Sequence, residues 1–312
     1  MSEFLIHSPY HGHVTGQGNS VTALRLESML VTSGYQVHHS QGDYSGMGAD
    51  VMVALNARKS AKAIARFRYL HPHSGLVIIL TGTDINHPDV IDESSATWIS
   101  MKLADRLILL HAASLQQVPK KFRKKTQVIY PSVELPEQLT HKIYDSDEFS
   151  IVMAGNLRKE KNFELAFAAG ARISAGLKMH HYGECNNHRS EHVVAHGVVS
   201  HDVILEAMSK AHILLNTSLQ EGGANAVCEA ISMGLPVVAS AIPGNVGILG
   251  DDYEGTFPSG DVDALVSLLE KVARDADFYA LLKRQVVERA SLFSYRRELT
   301  SWLDLLDGLL SK

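Results

Sequence analysis

The chain has only two cysteines, Cys185 and Cys228, among 312 residues. Two isolated thiols build neither a disulfide framework nor a zinc cluster, so a reducing cytoplasm is the expected compartment. Long apolar runs are missing as well. No stretch approaches the roughly 20 apolar residues that a membrane-spanning helix needs. The start, Met1-Ser2-Glu3-Phe4-Leu5-Ile6, lacks the basic, apolar and small-residue regions of a secretory leader and is expected to enter a strand directly. A surplus of basic residues is absent too: the net charge is −5, which speaks against nucleic acid as a partner. Low-complexity tracts and solenoid-period repeats are not found. With 45% hydrophobic and 20% charged residues, extended disorder is excluded.

What the chain does have is alternation. Short apolar runs at 4–7, 37–39, 51–55, 76–80, 106–110 and 127–129 read as strands. Between them, 21–33 and 60–70 carry apolar residues at spacings of three and four, the helical pattern. Pro131, Pro136 and the polar stretch 140–148 then interrupt the pattern and read as a linker. The alternation resumes with strands at 150–153, 177–182, 212–216 and 236–239 and ends in helical patterns at 262–273, 277–290 and 295–310. The expected fold class is therefore α/β, with two doubly wound Rossmann-like lobes, residues 1–145 and 146–312. Two such lobes are expected to leave a cleft beyond the carboxyl ends of their strands.

The most informative segment is Glu221-Gly222-Gly223-Ala224-Asn225-Ala226-Val227-Cys228-Glu229. Glycines ahead of a helix start let a phosphate or sugar oxygen approach free backbone N–H groups. Glu221 and Glu229, a little over two helical turns apart, are expected near one face, where carboxylates accept hydrogen bonds from sugar and ribose hydroxyls. Alone, two glutamates on a helix would be read as solvated. The continuation through Gly234, Pro236 and a buried strand places them at a strand–helix junction instead.

The run from Glu221 to Ser240 resembles the Glu-x7-Glu signature of the family 4 glycosyltransferases, which have the two-lobed GT-B fold. The resemblance implies that Glu221 contacts the donor sugar and Glu229 the ribose, with Gly222, Gly223, Ala224 and Asn225 lining the donor site. The family's Gly-Arg-Leu-x-x-x-Lys segment corresponds to Gly155-Asn156-Leu157-Arg158-Lys159-Glu160-Lys161. Lys161 matches and Asn156 replaces the arginine, so Arg158 is expected to supply the second cation for the donor diphosphate. A departing nucleoside diphosphate gains negative charge, which fixed cations stabilise. His196-Gly197 resembles the base-contacting loop. The resemblance also implies metal independence, no resident cofactor, and a last helix, 295–310, that packs back on the first lobe.

A narrower resemblance covers nearly the whole chain. Gly18-Asn19-Ser20-Val21-Thr22-Ala23-Leu24, Leu80-Thr81-Gly82-Thr83-Asp84, Glu221 to Asn225, and Ile242-Pro243-Gly244-Asn245-Val246-Gly247-Ile248-Leu249-Gly250 are similar to four motifs of the selenosugar synthases of the selenoneine pathway. This implies transfer of a sugar, N-acetylglucosamine or glucose, from its UDP donor to selenophosphate. Glu221, Asp84 and Asn19 are the expected catalytic residues. Asn56 stands where that family is expected to have a histidine, and a selenium anion needs no base to deprotonate it. For an anionic acceptor, Arg58 follows a strand and opens a helical pattern, while Gly16 and Gly18 allow close backbone approach. Asn56 and Thr83 complete the expected acceptor side. Asp84 is expected to orient the acceptor or a water, or else to cap a turn.

Other signals are set aside. Seventeen histidines include His188, His192 and His196 at a spacing of four, but no carboxylate set accompanies them, so they read as surface residues rather than metal ligands. The run Lys120-Lys121-Phe122-Arg123-Lys124-Lys125 lacks an adjoining amphipathic helix and reads as solvated, so membrane contact is not expected. Two alternatives stay open at this level. One is an ordinary family 4 enzyme with a hydroxyl acceptor; the other is a non-catalytic nucleotide-sugar binder.

Overall fold

A computed structural model of the chain describes residues 2–9, 18–136, 139, 141, 148–184 and 191–310. The chain divides into two compact units, one of Met1–Pro131 with Arg296–Lys312 and one of Ser132–Tyr295. The division falls at Pro131 and Ser132, ahead of the 145/146 boundary expected from composition, and the last helix joins the first unit.

The first unit contains β1 (Glu3–Ser8), α1 (Gly18–Thr32), β2 (Gln36–Gln41), β3 (Val51–Leu55), α2 (Ala61–Leu70), β4 (Gly75–Leu80), α3 (Gly82–Ile85), α4 (Ala96–Leu103), β5 (Arg106–Leu109) and β6 (Thr126–Val128). All strands pair in parallel, in the order β2-β1-β3-β4-β5-β6. Central strands of such a sheet are covered on both faces, which explains the unbroken apolar runs of β3 and β4. Leu5, Met52, Ile78 and Leu107 of the sheet pack with Ile64, Phe67, Trp98 and Met101 of the helices.

The second unit contains β7 (Phe149–Ala154), α5 (Phe163–Gly170), β8 (Leu177–Tyr182), β9 (Val193–Gly197), α6 (His201–Lys210), β10 (Ile213–Asn216), α7 (Asn225–Met233), β11 (Val237–Ser240), α8 (Pro243–Leu249), β12 (Thr256–Phe257), α9 (Val262–Arg274) and α10 (Ala276–Arg289). Its six strands run in the order β12-β11-β10-β7-β8-β9, again all parallel. Strands β9 and β12 have no counterpart in the sequence expectation. β12 has only two residues, and β9 is an edge strand whose apolar stretch, Val193–Ala195, is too short and too partly exposed to stand out as a buried strand. Finally α11 (Tyr295–Leu310) returns to the first unit, where Glu298, nearly buried, meets Arg25 of α1 at 2.9 Å. Among the described residues, no helix is long and apolar enough to cross a membrane.

In each sheet the winding reverses once, between β1 and β3 in the first unit and between β7 and β10 in the second. Flanking loops diverge at such points and leave room for a ligand at the carboxyl ends of the strands.

Candidate active site

At the reversal in the second unit, β7 ends in Gly155, whose φ of 136° is open to glycine alone. The neighbouring loop presses so closely that a Cβ on Gly183 would stand 2.1 Å from the Gly155 carbonyl oxygen. Asn156 then accepts the backbone N–H of Glu184 at 2.9 Å, so the residue in the family's arginine position ties two loops together. Arg158 is exposed at the start of a short 3-10 turn, Lys159–Lys161, which ends in left-handed Asn162. The Thr217 hydroxyl, just past β10, donates to the carbonyls of Lys161 and Asn162 at 3.0 and 3.1 Å. Leu219 N–H donates to the Glu160 carbonyl at 2.7 Å. The two loops are laced along their backbones, and this aims Lys161 Nζ at Glu221 Oε1, 2.6 Å away.

Glu221 also accepts from Ser218 Oγ at 2.7 Å and Asn216 Nδ2 at 3.4 Å. Burial alone would raise its carboxyl; the Lys161 charge and the bonds from Lys161, Ser218 and Asn216 outweigh it and hold the group below the ordinary range. Beneath lies fully buried Asn245, whose Nδ2 reaches Asn216 Oδ1 at 3.3 Å and the Ser240 carbonyl at 3.0 Å. Gly244 closes the arrangement. A Cβ there would stand 2.6 Å from both Cβ and the carbonyl oxygen of Glu221, so any side chain would push the glutamate out of place. The motif starting at Ile242 thus has a local reason: it sets the floor under Glu221.

Glu221 precedes the helix rather than riding on it. Gly222 and Gly223 are followed by Ala224 in a left-handed conformation with φ 33°, and α7 begins only at Asn225. The expectation that the two glutamates share a helical face is therefore corrected, because the left-handed turn breaks the helical spacing. Ala224 at the N-cap has no side-chain acceptor, so the first N–H groups of α7 stay available to a ligand. About one turn into α7, Glu229 Oε1 accepts from His201 Nε2 at 2.9 Å. The hydrogen bond to Glu229 raises the His201 ring above its ordinary range.

His196 lies flat against Tyr182, with ring centroids 4.3 Å apart and planes 2° from parallel, and its Nε2 meets His180 Nδ1 at 3.1 Å. Gly197 follows with φ 73°. His192 instead faces the Leu177 carbonyl at 3.3 Å, while His188 and Cys185 lie outside the described residues. Among the described residues, no group of three or more His, Cys, Asp or Glu is arranged to hold a metal ion.

In the first unit, Asn56 follows β3 with φ 68° and no exposed surface. Its Nδ2 donates to the hydroxyls of Thr81 and Thr83, each at 2.8 Å, and its Oδ1 accepts the N–H of Lys59 at 2.9 Å. Asp84 is equally buried and accepts from Ala57 N–H at 2.7 Å and Ile85 N–H at 2.9 Å. Burial pushes its carboxyl up to about 7 against the pull of these backbone donors. The side chain thus holds the Ala57 and Ile85 turns together. Arg58 is not at a helix start, since α2 begins at Ala61; its guanidinium pairs with Asp89 at 3.3 Å. Gly18 and Asn19 form the first turn of α1, where Gly18 accepts from the Thr22 hydroxyl at 3.0 Å. Gly16 lies outside the described residues. His7 and His111, at or just past the ends of β1 and β5, are wholly buried, and burial lowers both to about 4.

Sequence reasoning missed the supports of the site: Asn216, Ser218, Gly244, Asn245, Tyr182 and His201. Gly244 and Asn245 lay in a recognised motif without a stated reason. For His201 the one available signal is its place directly after Ser200 at a helix start.

Comparison with known proteins agrees with this architecture. Residues 148–275 match the family model described as Glycosyl transferases group 1. Sucrose-phosphate synthase from Thermosynechococcus elongatus has a similar structure, with a TM-score of 0.82 at 15% identity and all of both chains covered. Anabaena Alr3699/HepE, solved in complex with UDP and glucose, aligns with a TM-score of 0.75 at 14% identity, covering 99% of this chain and 100% of that one. The pneumococcal O-GlcNAc transferase GtfA, in complex with UDP and GlcNAc, aligns with a TM-score of 0.68 at 17% identity, covering 84% of this chain and 57% of that one. No curated protein sequence is a match. The chain thus has the GT-B arrangement of two parallel six-stranded sheets, and its second unit carries a stretch, residues 148–275, that matches the group 1 glycosyl transferase model.

Proposed function

We propose that this chain is a glycosyltransferase that moves a sugar, N-acetylglucosamine or glucose, from its UDP donor to selenophosphate in the cytoplasm. The selenium attacks the anomeric carbon, a carbon–selenium bond forms, and the anomeric C–O bond breaks with UDP taking the electron pair. One observation carries the donor half. At the β7/β10 reversal, Lys161 and Glu221 stand 2.6 Å apart beside a helix start, with Glu229 about one turn into α7. Lys161 and exposed Arg158 offer positive charge to the leaving diphosphate, the first N–H groups of α7 add to it, Glu221 receives sugar hydroxyls, and Glu229 receives the ribose diol. His196 and Gly197 line the base. Fixed cations of this kind stabilise the departing diphosphate without a resident cofactor.

The acceptor half is supported by the four motifs shared in order with the selenosugar synthases. Asn56, expected to contact the acceptor, is instead wholly buried with its amide spent on Thr81, Thr83 and Lys59, so it shapes the turn, and Thr83 and the Arg58 guanidinium are left to offer hydroxyl and cation rather than a base. A selenium anion needs no proton removed, which suits that set. Gly18 and Asn19 open α1 at the neighbouring strand end, and Asp84 keeps the Asn56 turn in shape.

The test is direct. The protein is incubated with UDP-N-acetylglucosamine or UDP-glucose and either selenophosphate or a panel of hydroxyl acceptors, and products are read by mass spectrometry. A sugar carrying the selenium isotope pattern, formed with stoichiometric UDP, is the expected result. Product only with a hydroxyl acceptor overturns the acceptor assignment. UDP-sugar binding without turnover of any acceptor overturns the catalytic one.

A further inference from the structure

We propose that His201 is a positioning residue of the donor site: its imidazole holds one oxygen of the Glu229 carboxylate so that the other is presented to the nucleotide ribose. The inference rests on the reading of Glu229 as the ribose acceptor. Glu229 and His201 lie on different helices, α7 and α6, and meet at 2.9 Å between Oε1 and Nε2. Around Glu229, α7 buries Val227, Cys228, Ala230 and Ile231, which fixes that helix against the core. The Glu229 side chain is itself 12% exposed, whereas the His201 ring is 61% exposed and lies over the carboxylate from the solvent side. Among the described residues no other side chain is hydrogen-bonded to this carboxylate.

This geometry has an energetic consequence. A glutamate side chain has three rotatable bonds, and immobilising a rotamer-rich side chain on binding costs about 0.5–1.5 kcal/mol. His201 meets that cost in the free protein, because its ring is anchored in the first turn of α6 after Ser200. A carboxylate accepts at both oxygens, so a bond to Oε1 alone leaves Oε2 for a hydroxyl. The bond requires a proton on Nε2. The hydrogen bond to Glu229, with the charges of Glu229 and Asp202, raises the ring above its ordinary range and keeps that proton in place.

The experiment measures UDP and UDP-glucose binding by calorimetry for the wild-type chain and for Glu229→Ala, His201→Ala, His201→Gln and the double alanine variant. Circular dichroism confirms folding of each. Glu229→Ala is expected to weaken binding by 10-fold or more, in keeping with about 1.5–3 kcal/mol for a hydrogen bond to a charged group. His201→Ala is expected to weaken it about 3- to 10-fold, the fold-change equivalent of fixing one side chain. His201→Gln, whose amide still donates from the ε position, is expected to restore binding to within about twofold. The double variant is expected to match Glu229→Ala alone, because the histidine acts through the glutamate. In turnover, the donor KM is expected to rise with kcat unchanged, the signature of a contact made equally in ground and transition states. Unchanged binding in His201→Ala alongside weakened Glu229→Ala overturns the role of His201 and leaves the ribose reading standing. Unchanged binding in Glu229→Ala overturns that reading and this proposal with it. Equal losses in the alanine and glutamine variants also overturn the positioning role.

Discussion

Glu221 and Asp84 are both carboxylates sheltered at the carboxyl edge of a parallel sheet, and they behave in opposite ways. Asp84 meets only backbone N–H donors and is pushed up to about 7 by burial. Glu221 pays the same desolvation but stands 2.6 Å from Lys161, which holds it below the ordinary range. The difference extends to their surroundings. At the carboxyl ends of its strands the first unit also places buried His7 and His111, both lowered to about 4, and the uncharged Asn56–Thr81–Thr83 cluster. The second unit places the Lys161–Glu221 ion pair and the His201–Glu229 hydrogen bond. Among the described residues, the buried groups named at the first edge form no ion pair, whereas the second edge holds Lys161–Glu221. A nucleoside diphosphate needs the second kind, since low dielectric strengthens a paired charge and penalises an unpaired one.

Removing the cation is the strongest way to break this contrast. Lys161→Met should leave Glu221 as unpaired as Asp84, with transfer measured as UDP release falling about 100-fold. Stability in urea should fall on the order of 2 kcal/mol as the buried carboxylate loses its partner. Unchanged turnover would remove Lys161 from the donor site.

The neutral edge is probed at its hub. Asn56→Ala loses the bonds to Thr81, Thr83 and Lys59 and leaves an alanine at φ 68°. The expected loss of stability is about 3 kcal/mol by chemical denaturation. Asn56→Gly, free of the backbone strain, should lose measurably less. Equal losses would show that hydrogen bonds alone decide the position.

The two edges also differ in pH response. His7 and His111 sit at about 4 when folded, against an ordinary 6.5, so each favours the unfolded chain as pH falls through 6.5 toward 4. Asp84, at about 7 when folded against 3.8, costs stability in the other direction, as pH rises from about 4 to about 7. His111→Gln removes one histidine and leaves Asp84 untouched. The drop in stability from pH 7 to pH 5 should shrink by about 2 kcal/mol relative to wild type. An unchanged drop would show that His111 is not held neutral. The smallest effect is expected at the half-exposed pair of the first unit: Arg58→Gln, breaking the 3.3 Å contact with Asp89, should cost under about 1 kcal/mol.

Much of this was legible in the chain because parallel strands, buried on both faces, leave unbroken apolar runs that can be read directly. The helix at 295–310 was read to its ends. Likewise Gly234, with φ 76°, closes α7 where the Gly-Leu-Pro step said it would. The strands that escaped, Val193–Gly197 and Thr256–Phe257, are an exposed edge and a two-residue fragment, paired only through their neighbours' backbones. Of the candidate site, Glu221 and Glu229 were legible as carboxylates around a glycine-led helix start, and Lys161 through its resemblance to a family motif. Their supports were not, because Asn216, Asn245 and Ser218 are ordinary polar residues until burial forces them to pair.

The sequence by itself determined the two doubly wound units and the glycine-led junction before α7, since periodicity and local backbone demands are written in neighbouring residues. Only the tertiary structure decided which charge meets which. Lys161 reaches Glu221 because two loops are laced at the β7/β10 reversal, and His201 reaches Glu229 because α6 and α7 pack side by side. Asp84, just as acidic in the sequence, came to rest wholly buried, with backbone N–H groups as its partners among the described residues.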